Sequence, residues 1–299
     1  GYTNPEEILR DADIAMYRAK AEGKARYEVF DRDMHHSAVA LLKLETELRR
    51  SVHRSDFLMN YQPIVSLEHG RIVGFEGLVR WQHPERGVVM PDHFIAIAEE
   101  TGLIVPLGWW VLRESCRQTR RWQHQFPSDP PLWISVNMSG KLFMKPDMVD
   151  ELLGILDETG LEPRSLRLEV TENVVMDHAE VAVRNLMELR ALGVQLSIDD
   201  FGTGYSSLSY LQRFHYDSLK IDRSFVSKLG TAGDSRAIVE TILNLANSLG
   251  IGVVAEGIET ADQVDHLRKM QCPHGQGFWF SRPLNVAAAE ELMASSPTW

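Results

Sequence analysis

The sequence has few cysteines and no long apolar run, and each lack argues against a class of protein. Its two cysteines, Cys116 and Cys272, stand in no CxxC or histidine spacing. This argues against a disulfide framework and a thiolate metal site, and it fits the reducing cytoplasm. No apolar run approaches the roughly 18 residues of a membrane-spanning helix, and no signal peptide is recognisable. We therefore expect no membrane contact from this segment.

The chain also lacks an excess of positive charge. Its net charge of −11 argues against a basic groove for a nucleic-acid polymer and against docking on anionic lipid. An anionic ligand would need another means of attachment, and a bound divalent cation is the usual one. The chain has 299 residues, 44% of them apolar, which suffices for one large domain with an appendage. It starts at Gly1 in the middle of a pattern, and we expect a segment of a longer protein.

From about residue 57 onward, short β-type runs alternate with amphipathic helical patterns. Several of the helical patterns close with glycine, such as Gly160, Gly193 and Gly250, which is the usual stop signal. Strands that alternate with helices in this way predict a barrel of the TIM type. Only SLEHG separates the first two strands, too little for a parallel crossover, so we expect an antiparallel hairpin there. The prediction is a modified TIM (β/α)8 barrel with an antiparallel first strand. Its predicted strands are 57–65, 71–81, 132–139, 165–172, 194–200, 218–222, 252–258 and 275–281, and its clearest helical patterns are 147–160, 179–193, 235–250 and 261–271.

Polar residues recur at or just beyond the ends of the predicted strands. In such barrels the active site lies on the loops at the carboxyl ends of the strands, so these side chains should share one mouth. Many acids in one place repel each other unless a cation neutralises them. An all-oxygen set without His or Cys suits Mg²⁺ or Mn²⁺, and the adjacent Asp199 and Asp200 can serve two ions. The residues are Glu76, Asn137, Glu169, Glu172, Asp199, Asp200, Lys220, Asp222, Glu256, Glu259 and Gln276.

Each of these residues also has an ordinary structural interpretation. A single acid at a strand end is more often a helix cap or a surface charge. Asn137 is also a typical turn residue, and Lys220 is also a typical edge lysine that reaches solvent. The stretch GTGYSS matches neither phosphate-loop pattern and can be a flexible connection. The repetition of donors at the same strand end favours the functional interpretation.

Seven features resemble motifs of the EAL-domain phosphodiesterases and follow in that family's order. The resemblance covers about residues 56–292. It implies a barrel that hydrolyses cyclic-di-GMP to linear pGpG with two Mg²⁺ or Mn²⁺ ions. Gly77 stands where the family name has alanine, and we expect little effect beyond added backbone freedom. The motifs are EGLVRW (76–81), the turn at Asn137, EVTE (169–172), DDFGTGYSSL (199–208), LKID (219–222), AEGIET (255–260) and QGFWFSRP (276–283).

The resemblance also implies roles for individual residues. A first metal would be held by Glu76, Asn137, Glu169 and Asp199, and a second reached by Asp199 and Asp200. Glu256 would lie near the second metal and reach it through water, and Lys220 would lie beside the attacking water. Glu259 and Gln276 would support the site, and Gln62, Arg80 and Asp222 would contact the substrate. Glu172 would anchor the loop after Asp200, which in this family couples metal binding to a dimer interface, so a homodimer is implied.

The N-terminal segment has a resemblance of its own. Residues 12–31 look like the last helix and strand of a GGDEF diguanylate cyclase domain, although the alternative is an ordinary amphipathic helix. No GGDEF signature occurs in this sequence, so we expect no synthesis of cyclic-di-GMP. The expected organisation is a GGDEF remnant (1–34), a linker helix (35–55) and the barrel (56–299), with GGDEF and sensory domains upstream in the full-length protein. The linker helix can also simply pack on the barrel.

Three functions fit these observations to different degrees. The first is a metal-dependent cyclic-di-GMP phosphodiesterase, favoured because every expected ligand position holds the family's residue type. The second is a receptor or regulatory module that binds cyclic-di-GMP with negligible turnover. The third, which sets the resemblance aside, is an enolase-like barrel that uses Mg²⁺ on a carboxylate substrate.

Overall fold

The structure is a computed structural model that describes residues 4–6, 8–9, 11–12, 15–16, 27, 29–30, 32–171, 179–202, 216–231, 233 and 235–299. For residues 32–40 and 179–180 it describes the backbone alone. Glu172, most of the GTGYSS stretch and most of the segment 12–31 lie outside the described residues. The interpretations placed on them therefore stay predictions.

A closed β-barrel forms the centre of the molecule. The described residues form nine strands in the order β1-β9-β8-β7-β6-β5-β4-β2-β3, and pairing of β1 with β2 closes the barrel. β1 is antiparallel to both of its neighbours, whereas the pairs from β2–β4 round to β8–β9 are parallel. β3 pairs antiparallel with the end of β2, outside the barrel. The predicted fold is confirmed. The strands are β1 (Phe57–Ser66), β2 (Arg71–His83), β3 (Gly87–Val89), β4 (Trp133–Asn137), β5 (Leu166–Thr171), β6 (Gln195–Phe201), β7 (Ser218–Ile221), β8 (Gly252–Ala255) and β9 (His274–Gly275).

Two predicted strands are too long, and the first of them, expected over 252–258, ends at Ala255. The last strand was expected over 275–281 but contains only His274–Gly275. Beyond it the chain packs against the backbone of Ile258, where a Cβ on Gly277 would lie 2.1 Å from the Ile258 oxygen. β2 was expected over 71–81 and continues to His83, because it pairs with β1 and β3 beyond the barrel. Glu76 is nevertheless next to Gly77, the last β2 residue that pairs with β4.

Helices surround the barrel, and those between the later strands occupy the predicted positions. Gly160 and Gly250 end their helices in the left-handed conformation, with φ of 69° and 68°. The long helix before β4 was not predicted. The helices are α1 (Arg32–Arg54), α2 (Ile95–Thr101), α3 (Ile104–Gln125), α4 (Gly140–Phe143), α5 (Met148–Thr159), α6 (Ala179–Leu192), α7 (Arg223–Val226), α8 (Arg236–Leu249), α9 (Ala261–Lys269) and α10 (Val286–Ala294), with single 3₁₀ turns at Pro91–His93 and Pro163–Ser165.

The core lies between the barrel wall and the surrounding helices. Strand residues such as Leu168 and Ile221 are fully buried, as are Leu112 and Trp122 on the inner face of α3. Removal of this apolar surface from water stabilises the fold and fixes the position of each strand end. Among the helices that the structure describes, none has the length and apolar character needed to cross a membrane.

Candidate active site

Lys220 of β7 lies at the centre of a cluster of acids. Among the described residues, four carboxylates approach its ammonium nitrogen Nζ: Glu256 Oε1 at 2.6 Å, Glu169 Oε2 at 2.8 Å, Asp199 Oδ1 at 3.4 Å and Glu76 Oε1 at 3.6 Å. The lysine side chain is only 2% exposed. The acids come from β2, β5, β6 and the residue after β8, so separate barrel strands converge on one ammonium group.

The four acids outnumber the one cation, and the pKa values reflect this excess. Burial raises the pKa of Glu169 to about 8 and that of Glu256 to about 7, although Lys220 opposes both shifts. Burial also acts against the charge of Lys220, but the surrounding acids prevail and its pKa lies well above the usual range. Without a further cation, Glu169 and Glu256 therefore keep their protons to a higher pH than exposed glutamates do.

Glu76 is fixed by side-chain amides. Asn137 Nδ2 donates to Glu76 Oε1 at 2.7 Å, and Gln276 Nε2 donates to Glu76 Oε2 at 2.5 Å. Burial would raise the pKa of Glu76, but Lys220 and these two hydrogen bonds outweigh it and the pKa is lowered. Gln276 Nε2 also donates to Gln62 Oε1 at 2.9 Å, and Gln62 lies opposite Glu76 in the β1–β2 pair. This amide network orients the Glu76 carboxylate toward the mouth.

The two adjacent aspartates lie on the same side of the chain because the backbone turns between them. Consecutive side chains of a regular strand point to opposite faces. Asp200, however, has a φ of +54°, and the β6–β7 register shifts between Ile198 and Phe201. The Asp200 amide also donates to Asp199 Oδ1 at 3.0 Å. As a result, oxygens of Asp199, Asp200 and Glu256 lie within 4.8 Å of one another.

These three carboxylates fit a hard divalent cation. They offer only oxygen ligands, as Mg²⁺, Mn²⁺ and Ca²⁺ prefer. Burial raises the pKa of Asp200, and the neighbouring charges of Asp199 and Asp222 add to the rise. A cation at this position would relieve that repulsion. The prediction that acids converge into a possible metal site is confirmed.

The acid cluster opens into a cleft of about 570 Å³. The cleft brings together eight of the predicted site residues, namely Gln62, Glu76, Arg80, Asp199, Lys220, Glu256, Glu259 and Gln276. Asn137 and Glu169 join them through their contacts with Glu76 and Lys220. The guanidinium group of Arg80 is buried at the wall and donates to the Val79 carbonyl at 2.8 Å.

Several cleft residues were missed by the sequence reasoning. The guanidinium carbon of Arg282 lies 4.3 Å from the ring centre of Phe278, which is 48% exposed. Both belong to the QGFWFSRP motif, but an expected strand over this motif did not place them at the mouth. The missed residues include Asn60, Val88, Met90, Arg223, Phe278 and Arg282.

Two predicted site residues are not placed in the cleft. Asp222 follows β7, but its Oδ1 accepts a hydrogen bond from the Ser224 amide at 3.0 Å and caps α7. It does not line the cleft. Glu172 lies outside the described residues. For Asp222 the contact found is therefore the helix cap that a strand-end acid commonly provides.

Comparison with known proteins identifies the class. The family model "EAL domain" matches residues 45–283, and the chain belongs to this family. It is 43% identical over 290 residues to the bifunctional diguanylate cyclase/cyclic di-GMP phosphodiesterase MucR of Pseudomonas aeruginosa, covering 97% of this chain and 42% of MucR. It is 41% identical over 288 residues to the cyclic di-GMP phosphodiesterase NbdA of the same organism, covering 96% of this chain and 36% of NbdA. The chain thus spans about two fifths of the length of these relatives.

Solved structures agree with this assignment. The MucR phosphodiesterase in its c-di-GMP complex matches with a TM-score of 0.78 and 42% identity, covering 83% of this chain and 99% of that one. The EAL domain of Mycobacterium smegmatis DcpA matches with a TM-score of 0.69 and 34% identity, covering 81% and 100%. The predicted EAL-domain family is confirmed.

Proposed function

We propose that this chain hydrolyses cyclic-di-GMP to linear pGpG. The observation that carries the proposal is the buried Lys220, held among four carboxylates at the base of a cleft of about 570 Å³. A positive charge fixed in this way can stabilise negative charge that develops on a phosphodiester. The names of MucR and NbdA, and the nucleotide complex of MucR, support the substrate.

The acids of the site are suited to two Mg²⁺ or Mn²⁺ ions. We assign Glu76, Asn137, Glu169 and Asp199 to the first, and Asp199 and Asp200, with Glu256 nearby, to the second. The fit rests on the oxygen-only donor set and on the convergence of Asp199, Asp200 and Glu256. Bound ions of this kind acidify water and screen phosphate oxygens.

Lys220 acts as a fixed cation and not as a general base. Its pKa lies well above the usual range, so it stays protonated at neutral pH and has no free electron pair to accept a proton. Its contact with Glu256 holds the ammonium at 2.6 Å from that carboxylate. From this position it orients the attacking water and stabilises the transition state.

The cleft wall binds the nucleotide. Arg80 offers a buried guanidinium group, which suits a phosphate oxygen. Gln62, Gln276 and Glu259 offer hydrogen bonds at the same mouth. We retain Asp222 as a substrate contact and Glu172 as the anchor of the loop after Asp200. A homodimer, a cytoplasmic location, and GGDEF and sensory domains in the full-length protein complete the proposal.

Product analysis tests the function directly. Purified protein with Mg²⁺ or Mn²⁺ should convert cyclic-di-GMP to pGpG, and chelation should stop the conversion. Glu76→Ala and Asp199→Ala should abolish turnover and weaken metal binding measured by calorimetry, with the fold intact by circular dichroism. Glu68→Ala is the matched control, because that side chain is 81% exposed at the β1–β2 turn, away from the cleft. Binding of cyclic-di-GMP without pGpG would establish the receptor alternative instead.

A further inference from the structure

A hydrogen bond connects the helix before the barrel to the end of β2. Glu47 lies on α1, and its Oε2 is 3.0 Å from Nε2 of His83, the last residue of β2. The histidine side chain is 1% exposed and the glutamate side chain 17%. The pair lies within the hydrogen-bonding range and is shielded from water, so it restrains the two elements more than an exposed ion pair does.

The second nitrogen of the His83 ring fixes the turn that follows β2. Nδ1 lies 3.1 Å from the amide nitrogen of Glu85 and 3.2 Å from that of Arg86. Both amides donate, so Nδ1 accepts and carries no proton. The proton of the neutral ring is therefore on Nε2, where it is donated to Glu47. One ring thus joins α1 to the β2–β3 turn, and it packs edge-on against Trp81 at 4.8 Å between centroids.

The segment held in this way forms one wall of the cleft. The β2–β3 pairing places His83 opposite Gly87 and Gln82 opposite Val88. Val88 and Met90 line the cleft, as does Arg80 on β2. Of the acids in the cluster, Asp199 lies on β6 and Glu256 follows β8, and Glu76, the one on β2, lies in the stretch that pairs with β4 inside the barrel. A shift of the β2–β3 hairpin would therefore change the nucleotide wall and leave the acid cluster in place.

We infer that Glu47 and His83 are positioning residues, which set the affinity of the cleft for cyclic-di-GMP by fixing the β2–β3 hairpin to α1. The inference rests on the proposed function for its ligand. Lys43 lies 3.5 Å and Arg86 3.6 Å from the Glu47 carboxylate, and Glu85 lies 3.7 Å from Lys43, but all three side chains are well exposed and contribute little. Displacement of α1 then alters substrate affinity through this contact.

The test compares two glutamates of the same helix in the full chain. Glu47→Ala should raise KM for cyclic-di-GMP about fivefold with kcat unchanged, the effect of losing one well-placed hydrogen bond. Glu47→Gln keeps an acceptor for the Nε2 proton and should restore KM. Glu45→Ala is the matched control, because Glu45 pairs with Arg49 on α1 itself at 3.1 Å. Binding of Mn²⁺ alone, measured by calorimetry, should be the same in all variants.

Hydrogen–deuterium exchange separates this inference from the proposed function. Amides of residues 84–90 should exchange faster in Glu47→Ala than in wild type or Glu45→Ala, whether or not the protein hydrolyses the nucleotide. Unchanged exchange in this segment would overturn the inference, as would an equal rise in KM for Glu45→Ala or a fall in kcat alone. If wild type yields no pGpG, the dissociation constant of cyclic-di-GMP replaces KM. If wild type does not bind the nucleotide either, the proposed function fails and the exchange result alone decides whether Glu47 and His83 hold the hairpin.

Discussion

Lys220 and Glu169 form a buried ion pair, with 2.8 Å between the ammonium nitrogen and the carboxylate oxygen and side chains that are 2% and 1% exposed. Removal of one partner from a buried pair costs about 3–5 kcal/mol, because an uncompensated charge stays in a medium that solvates it poorly. Burial already raises the pKa of Glu169 to about 8 against the opposing charge of Lys220, so removal of Lys220 would favour the protonated acid further. The pair therefore links the stability of the barrel to the chemistry at its mouth.

Replacement of Lys220 should affect turnover more than affinity. We expect Lys220→Ala to lower kcat about 100-fold, with KM within about threefold of wild type, because the ammonium stabilises charge that develops only in the transition state. Steady-state kinetics of pGpG release measure both. Lys228→Ala, at an exposed lysine after α7, is the control and should behave as wild type. A rise in KM at constant kcat would refute the assigned role.

The metal-free protein should lose stability as the pH rises. The pKa values of Glu169 and Glu256 rise from 4.5 in the unfolded chain to about 8 and about 7 in the folded protein. Between pH 4.5 and about 8 the folded state holds protons that the unfolded chain has released. The free energy of unfolding therefore decreases with increasing pH in this range. Lys220, whose raised pKa lies above this window, contributes a constant amount within it.

Urea unfolding at several pH values, with a chelator or with Mg²⁺, measures the slope of the free energy of unfolding against pH. Divalent ions should flatten or reverse it, because they take the place of the protons. Glu169→Gln should reduce the slope in the chelated protein. A free energy of unfolding that rises from pH 4.5 toward 8 without metal would contradict the site's electrostatics.

Restoration of the family's alanine at position 77 should destabilise this protein. A Cβ on Gly77 would lie 2.9 Å from Ser115 Oγ and 3.1 Å from Met59 Cε, so the effect is steric and not only one of backbone freedom. We expect Gly77→Ala to cost about 1 kcal/mol. Ser115 is fully buried, and its hydroxyl has no partner among the described residues. Ser115→Ala should therefore reduce this cost when it is combined with Gly77→Ala. If the two substitutions change the free energy of unfolding additively in a double-mutant cycle, the contact is disproved.

Two variants of Asp222 distinguish a cap from a substrate contact. Asp222→Ala should destabilise by about 1 kcal/mol, the usual cost of a lost N-cap. Asp222→Asn keeps a capping oxygen and should retain stability while it removes the charge. A raised KM in Asp222→Asn, at wild-type stability, would support the substrate role. Wild-type kinetics in both variants would leave the cap as the function of this side chain.

Local signals in the sequence were sufficient for most of the barrel. The short link between β1 and β2 forces an antiparallel hairpin, and glycines such as Gly160 stop helices at their own positions. The end of β9 was not predictable in this way. The stretch after Gly275 is rich in aromatic residues and resembles a strand, yet the close packing of Gly277 on Ile258 determines its path. That packing joins segments distant in sequence.

The candidate site, like the fold, was predictable where local sequence signals exist and not where contacts join distant segments. Acids at strand ends indicated the cluster around Lys220, because barrel topology brings those ends together. The amide contact between Gln276 and Gln62 spans residues at opposite ends of the domain and left no local signal. The same is true of Phe278 and Arg282, which reach the mouth only because the chain leaves the sheet early.

The left-handed backbone at Asp200 has a consequence for how this protein can change over generations. Among residues other than glycine, aspartate, asparagine and histidine tolerate that conformation best, and of these aspartate alone also brings a negatively charged oxygen. The left-handed backbone and the negative charge therefore both restrict which residue can stand at position 200. Even glutamate, the closest chemical substitute, satisfies only one of them, so we expect position 200 to accept fewer substitutions than the need for a carboxylate alone would impose.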